Sequence, residues 1–156
     1  MKSTSQHNDD ILGIRNENHS NPFGGGSTFD QNQLLNIEAV YKRILFYLDE
    51  EEAYLNPKIN LVNFSLFVGT NTTYLSSVVN RCFGMNFKTL INKYRVEKAR
   101  QLLSERECSL EELIKLCGFS SRSILYTSFQ REVGVPPSHY RREVLHLNSR
   151  VRRESK

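Results

Sequence analysis

The sequence predicts an all-α fold in which two similar helical pairs are joined by a long linker helix. From residue 34 onwards, apolar residues recur at spacings of three and four, the period of a helix with one buried face. Glycine or proline brackets these segments, as expected at helix ends. One stretch also recurs at a constant offset of 50 residues, which indicates a repeated structural unit.

The first 33 residues differ from the rest of the chain. They are rich in Asn, Ser, Gln and Gly and have no apolar periodicity, so they are predicted to be a disordered polar tail or linker. The chain shows neither a signal-peptide pattern nor an apolar run near the ~20 residues that span a bilayer, so we expect a cytoplasmic protein without a membrane partner. The remaining length fits one domain at 34–147 and a basic C-terminal tail at 148–156.

The first helical elements follow directly after the tail. A helix is expected from Leu34 to near Asn56, on an apolar face formed by Ile37, Val40, Tyr41, Ile44 and Leu48. The first helical pair is predicted at about 59–84. Its short first helix ends at Gly69, and Asn71 is placed to cap the N-terminus of its second helix.

A linker helix at about 87–105 leads to the second helical pair at about 109–134. Ser109 and Glu112 have the spacing of a capping box at the start of its first helix. Ser121 is placed to cap its second helix, and a terminal helix is predicted at about 137–147 because prolines favour a helix start.

The repeated segments give these two pairs a common identity. The string YLSSVVNRCFGM at 74–85 aligns with ILYTSFQREVGV at 124–135, and a short helix ended by glycine precedes each copy. A short helix, a glycine turn and a second helix with one outward side make up the helix-turn-helix motif. The sequence therefore predicts two helix-turn-helix subdomains.

The second helix of each copy carries small polar side chains at helical spacing. We call the two sets the first stripe, Thr73, Ser76, Ser77 and Asn80, and the second stripe, Ser123, Tyr126, Thr127 and Gln130. Each lies opposite apolar residues, and neither contains an acidic residue. Such a stripe can enter a major groove about 12 Å wide and hydrogen-bond to base edges. An ordinary solvated helix surface is the alternative, and the repetition favours nucleic acid.

The charge distribution is consistent with a polyanionic partner. Residues 1–80 carry a net charge of −4, whereas residues 81–156 carry +8. Arg81 and Arg131, at the ends of the second helices, are predicted to contact DNA phosphates. Arg122 begins the second helix of the second copy, where it is predicted to pair with a guanine or, alternatively, to be merely solvated. Arg95, in the apolar half of the linker helix, is predicted to form an internal ion pair, with a DNA contact as the alternative.

No pattern indicates an enzyme, a cofactor or a metal site. The cysteines, Cys82, Cys108 and Cys117, form no CxxC pair and are interpreted as reduced packing residues. The four histidines have no partner at ligand spacing. A carboxylate pair, a nucleophile with its base, and a phosphate-binding glycine loop are all absent from the sequence patterns.

The motifs resemble a known family. The linker string YRVEKARQLL and the string GFSSRSILYTSFQREVGVPPSHYR resemble the DNA-binding domain of AraC/XylS-type regulators over about residues 61–141. The first copy, VGTNTTYLSSVVNRCFGMNF, is similar to a variant common in Bacteroidota. The resemblance implies that both second helices enter successive major grooves. It places base contacts on Thr73, Ser76, Ser77, Arg122, Ser123, Tyr126 and Thr127.

The function implied is that of a bacterial, nucleoid-associated transcriptional regulator that binds double-stranded promoter DNA and contacts RNA polymerase, more often as an activator. The alternative is a protein-interaction module of the same fold that has lost specific DNA binding; salt-dependent binding to random DNA distinguishes the two. Members of the family usually carry a separate sensor domain. The sequence leaves open whether this chain stands alone or ends a longer protein, and which operator and signal it serves.

Overall fold

Residues 31–105 and 108–154 are described by a computed structural model, and every regular element within them is helical. The predicted all-α class is therefore confirmed. The elements are α1 (Gln31–Asp49), a 3-10 turn (Ala53–Leu55), α2 (Leu61–Val68), α3 (Thr72–Phe83), α4 (Phe87–Glu105), α5 (Leu110–Leu116), α6 (Arg122–Val133) and α7 (Pro137–Glu154). The chain divides into two units. The first comprises residues up to 53 together with 59–91, and the second comprises 54–58 together with 92 onwards.

The first unit is built on α1, α2, α3 and the start of α4. Helix α1 packs against both α2 and α3 through a face spaced by three and four residues, which consists of the buried Ile37, Val40, Ile44 and Leu48. Helix α2 starts with a capping box. The Asn60 side chain accepts from the Asn63 backbone N–H at 3.0 Å, and the Asn63 side chain accepts from the Asn60 N–H at 2.9 Å.

The second unit contains most of α4 and the three helices after it. Its buried core is formed by Val96, Ala99, Leu103, Cys108, Leu113, Cys117, Phe119, Leu125 and Phe129. Helix α5 packs against α6, and α6 packs against α7. The ring of Tyr140 on α7 meets that of Phe129 edge-on, with centroids 5.5 Å apart, so the start of α7 covers one side of this core.

The first helix ends earlier than the sequence predicted. Helix α1 begins at Gln31, within the predicted tail 1–33, and ends at Asp49 rather than near Asn56. Four consecutive acidic residues, 49–52, lie at this end, where the helix dipole disfavours negative charge. Glu52, three residues beyond this end, takes a positive φ of 45°, which is incompatible with a right-handed helix continuing through it. The rest of the predicted tail, residues 1–30, lies outside the described residues.

The last helix is longer than predicted. Helix α7 continues to Glu154, so most of the predicted tail at 148–156 is helical, and residues 155 and 156 lie outside the described part. No glycine or proline follows Pro137 to stop the helix, and arginine is a good helix former. In contrast, α4 has the bounds predicted for the linker helix.

Candidate nucleic-acid interface

The first stripe lies on α3, the second helix of the first unit. Asn71 caps this helix, because its side chain accepts from the Tyr74 backbone N–H at 2.8 Å. Thr73, Ser77 and Asn80 are exposed and Ser76 is half-buried. The opposite face is buried and consists of Leu75, Val78, Val79 and Phe83. Helical period and cap position thus hold the small polar side chains outward.

The second stripe lies on α6 in the second unit. Ser121 caps this helix by accepting from the Ile124 N–H at 3.3 Å. Ser123, Thr127 and Gln130 are exposed, while Tyr126 is half-buried and packs partly against the core of its unit. The opposite face is buried and consists of Leu125, Ser128 and Phe129.

The two helices match position by position in exposure. At the offset of 50, exposed Thr73, Ser77 and Asn80 correspond to exposed Ser123, Thr127 and Gln130, and half-buried Ser76 corresponds to half-buried Tyr126. The buried set corresponds equally well, Leu75 with Leu125 and Val79 with Phe129. Both helices are 12 residues long and end at a glycine. The sequence repeat is therefore a structural repeat.

Two residues of the second copy form a pair at the start of α6. The Nη2 of Arg122 donates to the Oη of Tyr126 at 3.3 Å, and the guanidinium carbon lies 5.3 Å from the centre of the tyrosine ring. Hydrogen bonding to Tyr126 raises the pKa of Arg122, an exposed group that is cationic at physiological pH even without this contact. The equivalent positions of the first copy hold Thr72 and Ser76, which cannot form such a stack.

The predicted phosphate contacts occupy the last turns of the two helices. Arg81 and Arg131 are both exposed there. The Nε of Arg131 is 2.8 Å from a carboxylate oxygen of its neighbour Glu132, so this guanidinium carries an intramolecular ion pair. Sequence reasoning did not include Glu132 in the interface, although it is adjacent in the chain.

One basic residue near the first stripe was also missed. Arg43 on α1 donates from Nη1 to the Val68 carbonyl at 3.0 Å and thereby caps the C-terminus of α2. It lines an open cleft of the first unit together with Thr70, Ser77 and Arg81. Arg43 lies on the polar side of a core helix, so the sequence pattern does not indicate that it is close to the first stripe.

Arg95 corrects one prediction. It is internal, with 6% exposure, but its hydrogen bonds run to backbone carbonyls rather than to a carboxylate. Its Nε donates to the Tyr54 carbonyl at 2.7 Å and its Nη2 to the Asn56 carbonyl at 2.8 Å. The two carbonyl dipoles stabilise the guanidinium in place of a carboxylate, but burial still lowers the pKa of Arg95.

The cysteines fit a packing role. Cys108 and Cys117 are buried, Cys82 is half-buried, and all three are free thiols. Burial raises the pKa of Cys117 to about 12 and also raises that of Cys82, so both stay protonated at neutral pH. Across 31–105 and 108–154, no group of three or more His, Cys, Asp or Glu side chains is arranged to hold a metal ion. Within the same ranges, no helix is long and apolar enough to cross a membrane.

Comparison with known families and curated proteins gives consistent matches. A family model described as a helix-turn-helix domain matches residues 65–143, just over half of the chain. The regulatory protein PocR of Salmonella typhimurium is 27% identical over 103 residues, which is 66% of this chain and 33% of that protein. The melibiose operon regulatory protein of Escherichia coli is 31% identical over 75 residues, 48% of this chain and 25% of that protein. The chain thus spans a third or less of these two relatives.

Solved structures match over most of the chain. The DNA-binding domain of the global transcriptional factor AdpA, solved in complex with a target DNA, has a TM-score of 0.60 at 20% identity and covers 76% of this chain and 98% of its own. The C-terminal domain of the response regulator yesN from Fusobacterium nucleatum has a TM-score of 0.54 at 25% identity, covering 71% and 99%. These chains share the fold described above.

Proposed function

The chain belongs to the helix-turn-helix domain family. From this premise we propose that it is a sequence-specific transcriptional regulator of the AraC type, whose two subdomains read two successive major grooves of promoter DNA. The DNA-binding region in this proposal is residues 34–147, with α3 and α6 as its reading helices. The side chains proposed to contact bases are Thr73, Ser76, Ser77, Arg122, Ser123, Tyr126 and Thr127.

The observation that carries this proposal is the matched exposure of the two stripes. Helices of equal length, each capped at its first turn, present small hydrogen-bonding side chains outward at the same three positions. A single polar helix face needs no explanation beyond solvation. The same face recurs at equivalent positions and lacks acidic residues both times. Contact with base edges explains this recurrence better than solvation alone does.

The positions of the arginines in the repeat support the assignment of the phosphate contacts. Arg81 and Arg131 occur at the same position of the repeat, at the opposite end of the helix from its cap. Phosphate contacts at that end fix the helix in register, while the side chains nearer the cap reach the bases. Arg122 is the one charged residue in the first turn of either helix, which suits a bidentate contact with guanine.

A protein surface separate from the stripes suits contact with RNA polymerase. Val62 and Leu66 on α2 are 64% and 74% exposed, and Phe46 and Phe67 are about half exposed. The ring of Tyr47 stacks on Phe67 at 5.8 Å and meets Phe46 edge-on at 5.4 Å. Exposed apolar side chains that lie near one another are typical of contact sites for other proteins. We call Phe46, Val62, Leu66 and Phe67 the apolar patch and assign it to contact with RNA polymerase. In this proposal the protein is an activator that is located in the cytoplasm and associated with the nucleoid.

Signal input is the remaining part of the proposal. Because the chain spans half or less of the curated regulators it resembles, a sensing domain in the same or a separate polypeptide fits the DNA-binding region described here. The test of the whole proposal is selection of bound sequences from random DNA followed by footprinting. We expect one chain to protect an asymmetric site of about two helical turns, with major-groove segments about 34 Å apart.

The competing function is a protein-interaction module of the same fold. The short side chains of Thr73, Ser76, Ser77 and Ser123 reach only a small distance from the helix, which suits a protein surface as well as a groove. The two functions differ in salt dependence. A DNA-binding protein loses affinity for random duplex steeply as salt rises, whereas a pure adaptor shows almost no such binding.

The footprint also tests the tandem arrangement of the two subdomains. An obligate symmetric site that is bound only by a dimer would contradict it.

A further inference from the structure

Five residues that precede the first helix-turn-helix pair in the chain belong structurally to the second unit. We call residues 54–58, between the end of α1 and the start of α2, the strap. The Tyr54 ring is buried and packs on Tyr94 of α4, with ring centroids 5.4 Å apart. The side chain of Tyr54 therefore fixes the strap to the second unit.

Arg95 holds the strap by two hydrogen bonds from one guanidinium. Its Nε and Nη2 donate to the carbonyls of Tyr54 and Asn56, two residues apart, at 2.7 and 2.8 Å. The planar fork of an arginine presents donors at a fixed separation, which suits two carbonyls held side by side. Burying a cation with so little exposure is costly, and the two carbonyls that Arg95 holds offset part of that cost.

The same residues contact the turn that leads into the second reading helix. The Arg95 guanidinium carbon lies 6.0 Å from the centre of the Phe119 ring, which is itself buried. The strap backbone at Leu55 packs so closely on Gly118 that a Cβ there would come within 2.3 Å of the Leu55 carbonyl oxygen. Two residues after Phe119, Ser121 caps α6.

These contacts form a continuous chain from α4 to the start of α6. We propose that Arg95 is a positioning residue for the second reading helix, acting through the strap and the turn at 118–121. The strap is held between Arg95 and Gly118 and therefore determines the position of the turn. The turn then sets the start of α6, and with it the positions of Arg122 and Ser123. The proposal rests on α6 being a DNA-reading helix only for its effect on binding; its effect on the turn does not depend on DNA.

The test uses Arg95→Lys in the full chain, with Arg100→Lys as the matched control. Lysine keeps the charge but lacks the planar fork that holds two carbonyls at a fixed separation. Arg100 is exposed on the same helix, pairs with Glu97 at 2.9 Å and lies 6.0 Å from the centre of the Tyr140 ring, contacts that a lysine ammonium can also make. The first measurement is amide hydrogen exchange without DNA. We expect protection at residues 119–125 to fall about tenfold in Arg95→Lys while residues 75–83 keep theirs, and no change at either place in Arg100→Lys.

The second measurement is binding to the selected operator and to two probes, each with one half-site randomised. We expect Arg95→Lys to weaken operator binding about tenfold, and this penalty to vanish on the probe whose α6 half-site is randomised. Unchanged protection at 119–125, or an equal loss of protection throughout the chain, would overturn the proposal. Should the wild-type chain select no sequence at all, the proposed function fails while the exchange experiment still decides the role of Arg95.

If Arg95→Lys does not fold, as judged by circular dichroism, Phe119→Leu replaces it. This substitution keeps an apolar side chain in the buried position but removes the ring face that the guanidinium approaches. The expected pattern is the same, with a smaller loss of protection confined to 119–125. If Phe119→Leu shows the same amide hydrogen exchange as the wild type at residues 119–125, the proposed series of contacts from Arg95 to α6 is wrong.

Discussion

Arg122 and Tyr126 lie one helical turn apart on α6, with the guanidinium against the ring and a 3.3 Å hydrogen bond from Nη2 to the phenol oxygen. Both are proposed to contact bases, so the structure joins two contacts that the sequence presents separately. The stack restricts the rotamers of a long side chain before DNA arrives, which lowers the entropic cost of placing it in a groove. Arg122 and Tyr126 should therefore act as one recognition element.

The first prediction concerns specificity at the start of α6. Replacing Arg122 by alanine should weaken binding to the selected operator about tenfold and relax the preference at a single base pair, a guanine. Non-specific affinity should change less. Binding of the operator and its single-base variants, measured at several salt concentrations, checks this. If Arg122→Ala weakens every sequence equally, Arg122 is a backbone contact.

The second prediction tests the coupling of the pair. Tyr126→Phe keeps the ring and its partial packing in the core but removes the oxygen that accepts from Arg122. We expect it to reduce discrimination at the base pair read by Arg122 in the wild-type chain and to have no such effect when Arg122 is already alanine. A double-mutant cycle on the operator and its variant at that base pair measures the coupling. Additive effects would show that the two residues read independently.

Local sequence patterns were enough to place the candidate site. The outward direction of the stripes follows from the helical period, and the capping of α3 and α6 involves residues only three positions apart. Such features depend on neighbours in the sequence. For this reason, Ser123 and Thr127 could be assigned to an exposed face from the sequence, and the structure places them there.

Features that depend on distant or backbone partners could not be predicted in this way. Arg95 bonds to carbonyls 41 and 39 residues earlier in the chain, and every residue has a carbonyl, so no side-chain pattern marks those partners. The apolar periodicity predicts a helix that continues to near Asn56. The helix instead ends at Asp49, where the acidic run 49–52 is disfavoured by the helix dipole.

The third prediction concerns the contact between Gly118 and Leu55. Gly118→Ala should destabilise the chain about 1 to 3 kcal/mol more than Gly134→Ala. Both glycines have positive φ, at 74° and 85°, so each substitution carries a similar backbone cost, but only at Gly118 would the new Cβ meet backbone atoms. Unfolding in urea, followed by circular dichroism, measures the difference. Equal destabilisation would mean that the strap yields without cost.

The fourth prediction separates the apolar patch from DNA binding. Leu66→Ser should leave stability and operator affinity unchanged, because this side chain is 74% exposed and lies on α2 rather than on a stripe. Transcription from a promoter carrying the operator should fall severalfold in a purified system with RNA polymerase. Asn80→Ala is not suitable as a control, since it lies on a stripe; Lys42→Ser, on the exposed side of α1, is the matched choice. Full activation by Leu66→Ser would remove the patch from the polymerase contact.

The fifth prediction uses the ion pair between Arg131 and Glu132, whose Nε and carboxylate oxygen are 2.8 Å apart. Arg131→Ala should weaken binding to all sequences alike and lower the slope of log affinity against log salt by about 0.9, because one fewer counterion is released. Specificity should persist. Glu132→Gln should act in the opposite direction, since it removes a negative charge near the phosphates and leaves the guanidinium available to DNA.

The decisive comparison is Glu132→Gln in both backgrounds. In the wild-type chain it should raise affinity for every duplex a few-fold at low salt, and in Arg131→Ala the gain should be smaller because no guanidinium is released. Titrations of operator and random duplex at four salt concentrations provide all the slopes. Two results together would contradict the prediction: an unchanged salt slope in Arg131→Ala, and an equal gain in affinity from Glu132→Gln in both backgrounds. They would show that Arg131 does not contact phosphates. The DNA contacts of the repeat would then be limited to the residues nearer the helix caps.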